Sequence, residues 1–311
     1  MSVKLRKPLE SITYSVLLII IIHFLFFRLA PQIFIIAGAI PLLFVGNIIR
    51  FKYFVITTLI VDLIFFLIFS FELKFLGLLV SIQFLINFLI ISSLSLVFIF
   101  LLKLKRKNIL DNNKVILFFI FFILITEILF NYFYFYKLEH TELREFLLNF
   151  SKSFFEKQSP ENNLINQSFI ESVIKIIPAI NSFFLAMFFF LNSSIANHFI
   201  SQLNFKNIYQ LKYSEFISPS WFFLLLNILV FLSIMTTGEL KFFLINTCII
   251  MSFLIFFQGF IYFYNIFTNL EISLILKIII TFLLFLFLGY VLFLIIFFMG
   301  YYLNLKALLK N

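Results

Sequence analysis

Two carboxyl groups stand inside stretches that are otherwise apolar, and a charge in hydrocarbon is among the costliest groups a membrane helix can carry. Asp62 is followed by Leu63, Ile64, Phe65 and Phe66, and Glu127 lies in an apolar run with Asn131 one helical turn further on, sharing its face. Groups so placed bind a proton or a polar substrate, or they sit neutral and hydrogen-bonded inside a packed interior. Both readings are open for each residue. The other polar candidates are amides. Gln83 and Asn87 share a face, where a bond between helices is the expected role, and Asn181, Asn192, Asn197, Asn227, Asn246 and Gln258 recur downstream. Of these, Asn246 and Gln258, about three turns apart on one helix, are candidates for the lining of a ligand site. With Asp62, Glu127 and Asn131 they make up the substrate-binding set. Gly259 follows Gln258 and offers a place where a neighbouring helix can approach the backbone.

Several chemistries have no residues to support them. His23 and His198 have no second His or Cys at ligand spacing, so no metal site is assigned. The single cysteine, Cys248, excludes an internal disulfide and a cysteine-based cluster. Neither a phosphate-cradling glycine loop with lysine, nor His-Glu-x-x-His, nor Gly-x-Ser-x-Gly occurs. No catalytic residue and no cofactor are assigned.

The elements that position these groups follow from composition. Hydrophobic residues make up 63% of the 311 and charged ones 12%, with a mean hydropathy of +1.15. A water-soluble fold could not hide that much apolar surface. The net charge of +9 would suggest nucleic acid in a soluble protein. Here the basic residues gather at segment ends, which points to membrane orientation and anionic headgroups instead. The expected partner is the lipid bilayer, not nucleic acid. With 53 Phe against 7 Gly and no Gly-x-x-x-Gly pair, helix packing must rest largely on bulky side chains.

Apolar blocks near the ~20 residues that cross the hydrocarbon are read at 12–27, 31–50, 53–71, 75–102 and 115–136, then at 171–200, 220–237, 240–264 and 272–303. The fold class is therefore all-α, a polytopic transmembrane bundle of about nine helices. The division is 1–136 as an amino-terminal membrane half of five helices, 137–175 as a polar insert, and 176–311 as a carboxy-terminal half of four. The amino tail, the Arg50/Lys52 joint and the 103–114 joint hold ten basic residues, whereas the joints between them hold Arg28 and Lys74. Positive charge stays on the cytoplasmic side, so the amino terminus is expected inside and the insert outside. Nine crossings leave Lys306 and Lys310 outside, and eight would bring them in; both counts stay open. In the insert, Leu143, Phe146, Leu147, Phe150 and Phe154 repeat at helical spacing with Glu145, Asn149, Lys152 and Glu156 elsewhere, the pattern of an amphipathic helix on the membrane surface or over a site.

The order of punctuation in the second half resembles the YybS-like family of bacterial membrane proteins. Ile176-Ile-Pro178 is similar to that family's Leu-Pro opening of the helix after the outer loop, and Pro219-Ser-Trp221 to its Pro-x-Trp opening of the next. Asn246 followed by Phe257-Gln258-Gly259 resembles its Asn and Gln-Gly, and Met299-Gly300-Tyr-Tyr ends where the family carries a Gly. The family's Asp and tail Arg are replaced, with Asn304 and Lys310 as the nearest stand-ins. Pro178, Pro219, Trp221, Gly259 and Gly300 are thus expected to be structural. The resemblance implies a multi-pass protein of the bacterial cytoplasmic (inner) membrane without a known activity, distantly similar to the substrate-binding subunits of energy-coupling vitamin transporters and to a rod-shape scaffold. It implies a non-catalytic substrate-binding or transport-related subunit that partners an energising module. A scaffold recruiting other membrane proteins is the alternative, and a lipid-modifying enzyme the third. The first helix lacks the Ala-x-x-x-Ala face that transporter subunits of this kind present to their partner.

Overall fold

The computed structural model describes residues 8–29, 37–76, 78–131, 163–203, 211, 213, 216–269 and 274–310. Among them are nine helices and no strand: α1 (Pro8–Leu29), α2 (Ala39–Ile48), α3 (Phe51–Leu76), α4 (Leu78–Arg106), α5 (Asn112–Asn131), α6 (Asn163–Gln202), α7 (Ser220–Met235), α8 (Gly238–Thr268) and α9 (Leu274–Lys310). Each corresponds to one of the nine apolar blocks of the sequence. The all-helical class is as expected. Five helices contain stretches long and apolar enough to cross a membrane, at Phe51–Ile68, Asn87–Arg106, Ala179–Gln202, Gly238–Ile266 and Val291–Leu309, and the other four are shorter and apolar. The amphipathic helix read within the insert lies outside the described residues.

The chain divides into two compact units, residues 1–119 with 185–211 and residues 120–184 with 212–311. The sequence reading cuts instead at 136 and 175, in the joints. Helices α5 and α6 each contribute residues to both units. Helix α6 also begins at Asn163, inside the stretch assigned to the insert. At 40 residues it is ~60 Å long, about twice the hydrocarbon thickness, so part of it must stand outside the apolar layer.

In the first unit α3 and α4 run antiparallel, and their register is fixed by facing pairs: Phe51 with Phe100, Asp62 with Ser92 and Phe65 with Phe88. Helix α1 packs on α2 and α3, and α2 on α4. Phenylalanine fills the interior as the composition demands, with the rings of Phe98, Phe119 and Phe189 4.6–5.2 Å apart. Helix α4 ends in Lys103, Lys105 and Arg106, where cations complement the carbonyl end of the helix. Asn108 then turns the chain at φ 57°, a conformation that asparagine tolerates better than most residues. Asp111 starts α5 by accepting the Lys114 amide at 2.8 Å, and that hydrogen bond is the main reason its carboxyl sits below the ordinary value.

In the second unit α7, α8 and α9 pack on one another. Helix α7 shows why the surface belongs in lipid: Trp221, Ile228, Phe231, Ile234 and Met235 are exposed, while Phe222, Phe223 and Leu226 are buried. An apolar face of that extent has no place in water. The chain is an integral membrane protein. Helix α9 is interrupted at Gly289, whose φ of 36° and ψ of −113° are not helical; no atom lies within 4 Å of where a Cβ would stand, so the glycine serves the backbone and not the packing.

Candidate functional site

The polar residues fall into two groups, one in each unit. In the second unit they are spent on holding backbone together. A proline inside a helix removes one amide donor, and its ring disturbs the carbonyl one turn back, so the neighbouring ladder needs help from side chains. One residue past Pro178, the buried amide of Ala179 donates to Asn246 Oδ1 at 3.1 Å. Asn246 Nδ2 in turn donates to the Phe242 carbonyl at 2.8 Å. The second proline, Pro219, precedes α7 with ψ 143°, and its carbonyl accepts the amides of Phe222 and Phe223. Ahead of it the buried Ser218 amide donates to Gln258 Oε1 at 3.3 Å. Gln258 Oε1 also accepts from Asn304 Nδ2 at 2.9 Å, and Asn304 Nδ2 lies 2.8 Å from the Gly300 carbonyl. Asn246 and Gln258 therefore accept from two separate backbone amides, each next to a proline in sequence, and stand ~18 Å apart along α8.

Beside Gln258, helices α8 and α9 touch backbone to backbone. A Cβ on Gly259 would fall on the Ile296 carbonyl oxygen and 2.7 Å from the Gly300 amide; one on Gly300 would fall on the Ile255 carbonyl and 2.9 Å from the Gly259 amide. The two glycines form one reciprocal crossing, which brings together the Gln-Gly, Gly300 and Asn304 positions of the family resemblance. Trp221 points outward, about half exposed, against the ring of Phe222. Directly after Gly300 and three residues before Asn304, the Tyr301 hydroxyl donates to Asn227 Oδ1 at 3.0 Å.

In the first unit the candidate is Asp62. Its Oδ2 accepts from Ser92 Oγ across the α3–α4 interface at 3.3 Å. Ser92 is buried, and its single hydroxyl hydrogen also faces the Leu89 carbonyl at 3.1 Å. The second carboxylate oxygen, Oδ1, is buried and has no hydrogen-bond partner. Asp62 thus faces a helix neighbour and keeps unspent hydrogen-bonding capacity. One turn along the same interface stands His23, fully buried, with Nδ1 2.8 Å from the Ile19 carbonyl and Nε2 2.8 Å from that of Gly38. Its ring lies 5.8 Å from Phe65 and 5.2 Å from Phe88, edge to face with both. Further off, Asn47 Nδ2 and Asn197 Oδ1 meet at 3.5 Å, with Asn47 Oδ1 buried and unpartnered.

The side chains of Glu127 and Asn131 lie outside the described residues, as does that of Gln83; the backbone of α5 carries the first two on one face. Sequence reasoning passes over Ser92, Ser218 and Tyr301, whose importance lies in what they meet across helices, and treats His23 only as a metal ligand. Among the described residues no group of three His, Cys, Asp or Glu could hold a metal ion. No family model matches this chain, and neither a curated protein nor a solved structure matches it.

Proposed function

We propose that this chain is a non-catalytic, transport-related subunit of the bacterial cytoplasmic membrane, of the YybS-like kind, which binds a small ligand or ion inside the hydrocarbon layer through Asp62. The observation that carries the reading is the Asp62 carboxyl: it lies in an apolar helix, one oxygen shares a hydrogen with a second acceptor, and the other is buried without a partner. A group retained only for packing would be replaced by leucine without loss, because a charge at mid-membrane costs roughly 2.5–3.5 kcal/mol on insertion scales. The amino terminus is assigned to the cytoplasm and the 137–175 insert to the opposite side from the ten-to-two asymmetry of basic residues.

The test is purification of the wild-type chain and Asp62→Leu in mild detergent, with mass spectrometry of bound small molecules and of co-purifying proteins. The reading expects a ligand retained by the wild type and lost from a variant that elutes and melts normally. The reading of Asp62 as the site of a small-molecule ligand fails if nothing bound distinguishes the two. A membrane scaffold is the second reading, favoured by the use of Asn246 and Gln258 to hold backbone amides within the protein. In that case partner proteins co-purify equally with both chains.

A further inference from the structure

His23 and Asp62 occupy successive rungs of one helix interface. The rings of Phe65 on α3 and Phe88 on α4 meet at 4.5 Å, tilted by 44°, with the His23 ring against both. Asp62 is three residues before Phe65 and Ser92 four after Phe88, so the Asp62–Ser92 bond is the next rung along. In each case the hydrogen-bond count is one proton short. A neutral imidazole carries one N–H, yet both nitrogens of His23 lie 2.8 Å from carbonyl oxygens. An ionised Asp62 can only accept, and the hydroxyl that faces it has a second acceptor in Leu89. A proton on Asp62 would let the carboxyl donate to Ser92 Oγ and leave the hydroxyl for Leu89. A proton on His23 would complete the bonds to Ile19 and Gly38. Either group gains a hydrogen bond by taking a proton, with no side chain moved.

We propose that His23 and Asp62 form a shared one-proton site within the first unit, the proton being the ion bound there. The inference rests on the reading of Asp62 as a binding group and names its ligand. With one proton on the pair, the site is electrically neutral in either arrangement: neutral imidazole with carboxylic acid, or imidazolium with carboxylate. Loss of that proton leaves a lone carboxylate in hydrocarbon, which is the unfavourable state. When the proton is on His23, the Nε2–H bond to Gly38 ties α1 to the start of α2. When it is on Asp62, the neutral ring has one N–H to divide between Ile19 and Gly38. The position of one proton is thereby coupled to the α1–α2 contact. The other titratable groups on these helices are Glu10 and Tyr14, two turns or more before His23 on α1, and Arg28, five residues after it; Lys52, Tyr53, Glu72 and Lys74, nine to twelve residues from Asp62 on α3; and Lys103, Lys105 and Arg106 at the far end of α4, with none on α2.

The experiment uses the full chain in lipid nanodiscs with ring-15N-labelled histidine and no added ligand. The His23 signals are assigned by difference from His23→Gln, and the Asp62 carboxyl band in the infrared by difference from Asp62→Asn. Near neutral pH the wild type is expected to show either a protonated Asp62 band or two N–H signals from His23, and to lose that proton in one step as pH rises. Asp62→Asn retains the size of the side chain, and it should raise the proton concentration needed to load His23 by about tenfold, the scale of one lost neighbouring charge. An ionised Asp62 beside a singly protonated His23 at neutral pH would overturn the proposal. So would an unchanged His23 titration in Asp62→Asn. Because the spectra read the proton directly, a chain that binds no organic ligand can still pass, and one that binds such a ligand can fail.

Discussion

Placing one methyl group at the α8–α9 crossing tests the tightest contact in the second unit. In Gly259→Ala the new Cβ would clash with the Ile296 carbonyl oxygen and stand 2.7 Å from the Gly300 amide. Both obstacles are backbone, so no side chain can swing aside and the helices must part by about 1 Å. A gap of that size forfeits a quarter to a half of each ~0.1–0.2 kcal/mol atom contact, and over roughly forty contacts the loss is about 2 kcal/mol. Alanine returns up to ~1 kcal/mol through its better helix propensity, leaving a net cost of about 1–2 kcal/mol. Gly259→Leu adds overpacking and should reach roughly 3 kcal/mol. Gly46→Ala is the control, since its Cβ would meet the side-chain ends of Ile99 at 2.7 Å and Phe54 at 3.0 Å, which can yield, and its cost should be smaller. Thermal melting in detergent, followed by size-exclusion of a fluorescent fusion, should place Gly259→Ala a few degrees below wild type and below Gly46→Ala. Because the first methyl already parts the helices, Gly259→Ala with Gly300→Ala should cost less than the sum of the two singles. Wild-type melting of Gly259→Leu would show that no backbone lies there.

Cysteine at Asn108 in a Cys248→Ser background should resist membrane-impermeant labelling from outside intact cells, whereas cysteine at Asn163 should accept it; labelling at 108 would reverse the assigned orientation. Asn246→Leu leaves the Ala179 amide without its buried acceptor and should cost about 1–3 kcal/mol; adding Pro178→Ala should recover part of it in a double-mutant cycle, and purely additive losses would refute the pairing. Asp111→Ala removes an N-cap and should cost about 1 kcal/mol in melting assays. As the folded-state pKa of Asp111 is lowered, its stabilisation is present above the unfolded-state pKa and fades as pH falls through the folded one, so the gap to Asp111→Ala should narrow on acidification; a gap unchanged at low pH would count against it.

The nine helices among the described residues were legible because each is built on an apolar block, although their ends run past the charges that bound it: α3 continues through Glu72 and Lys74, and α9 through Lys306. The start of α6 was not legible, for a physical reason. Hydropathy marks where hydrocarbon ends, and helix is set by backbone bonding, so polar Asn163–Lys175 continues a helix that a hydropathy reading assigns to the insert. The prolines and the amides of α8 were each visible in the sequence as separate features. Their pairing was not, because Asn246 and Ala179 are 67 residues apart and Gln258 and Ser218 are 40 apart, and no local pattern encodes which amide meets which broken turn.

That pairing changes what the polar residues mean. An amide in a membrane helix costs little when it finds a partner, and Asn246 and Gln258 each accept from a buried backbone amide, that of Ala179 and that of Ser218. Asp62 has no donor to itself. Its nearest donor is divided between two acceptors, its second oxygen has none, and a histidine with one more acceptor than protons stands a turn away. In the second unit Asn246 and Gln258 thus hold backbone amides next to prolines, and the first unit keeps the groups whose bonding a proton would complete.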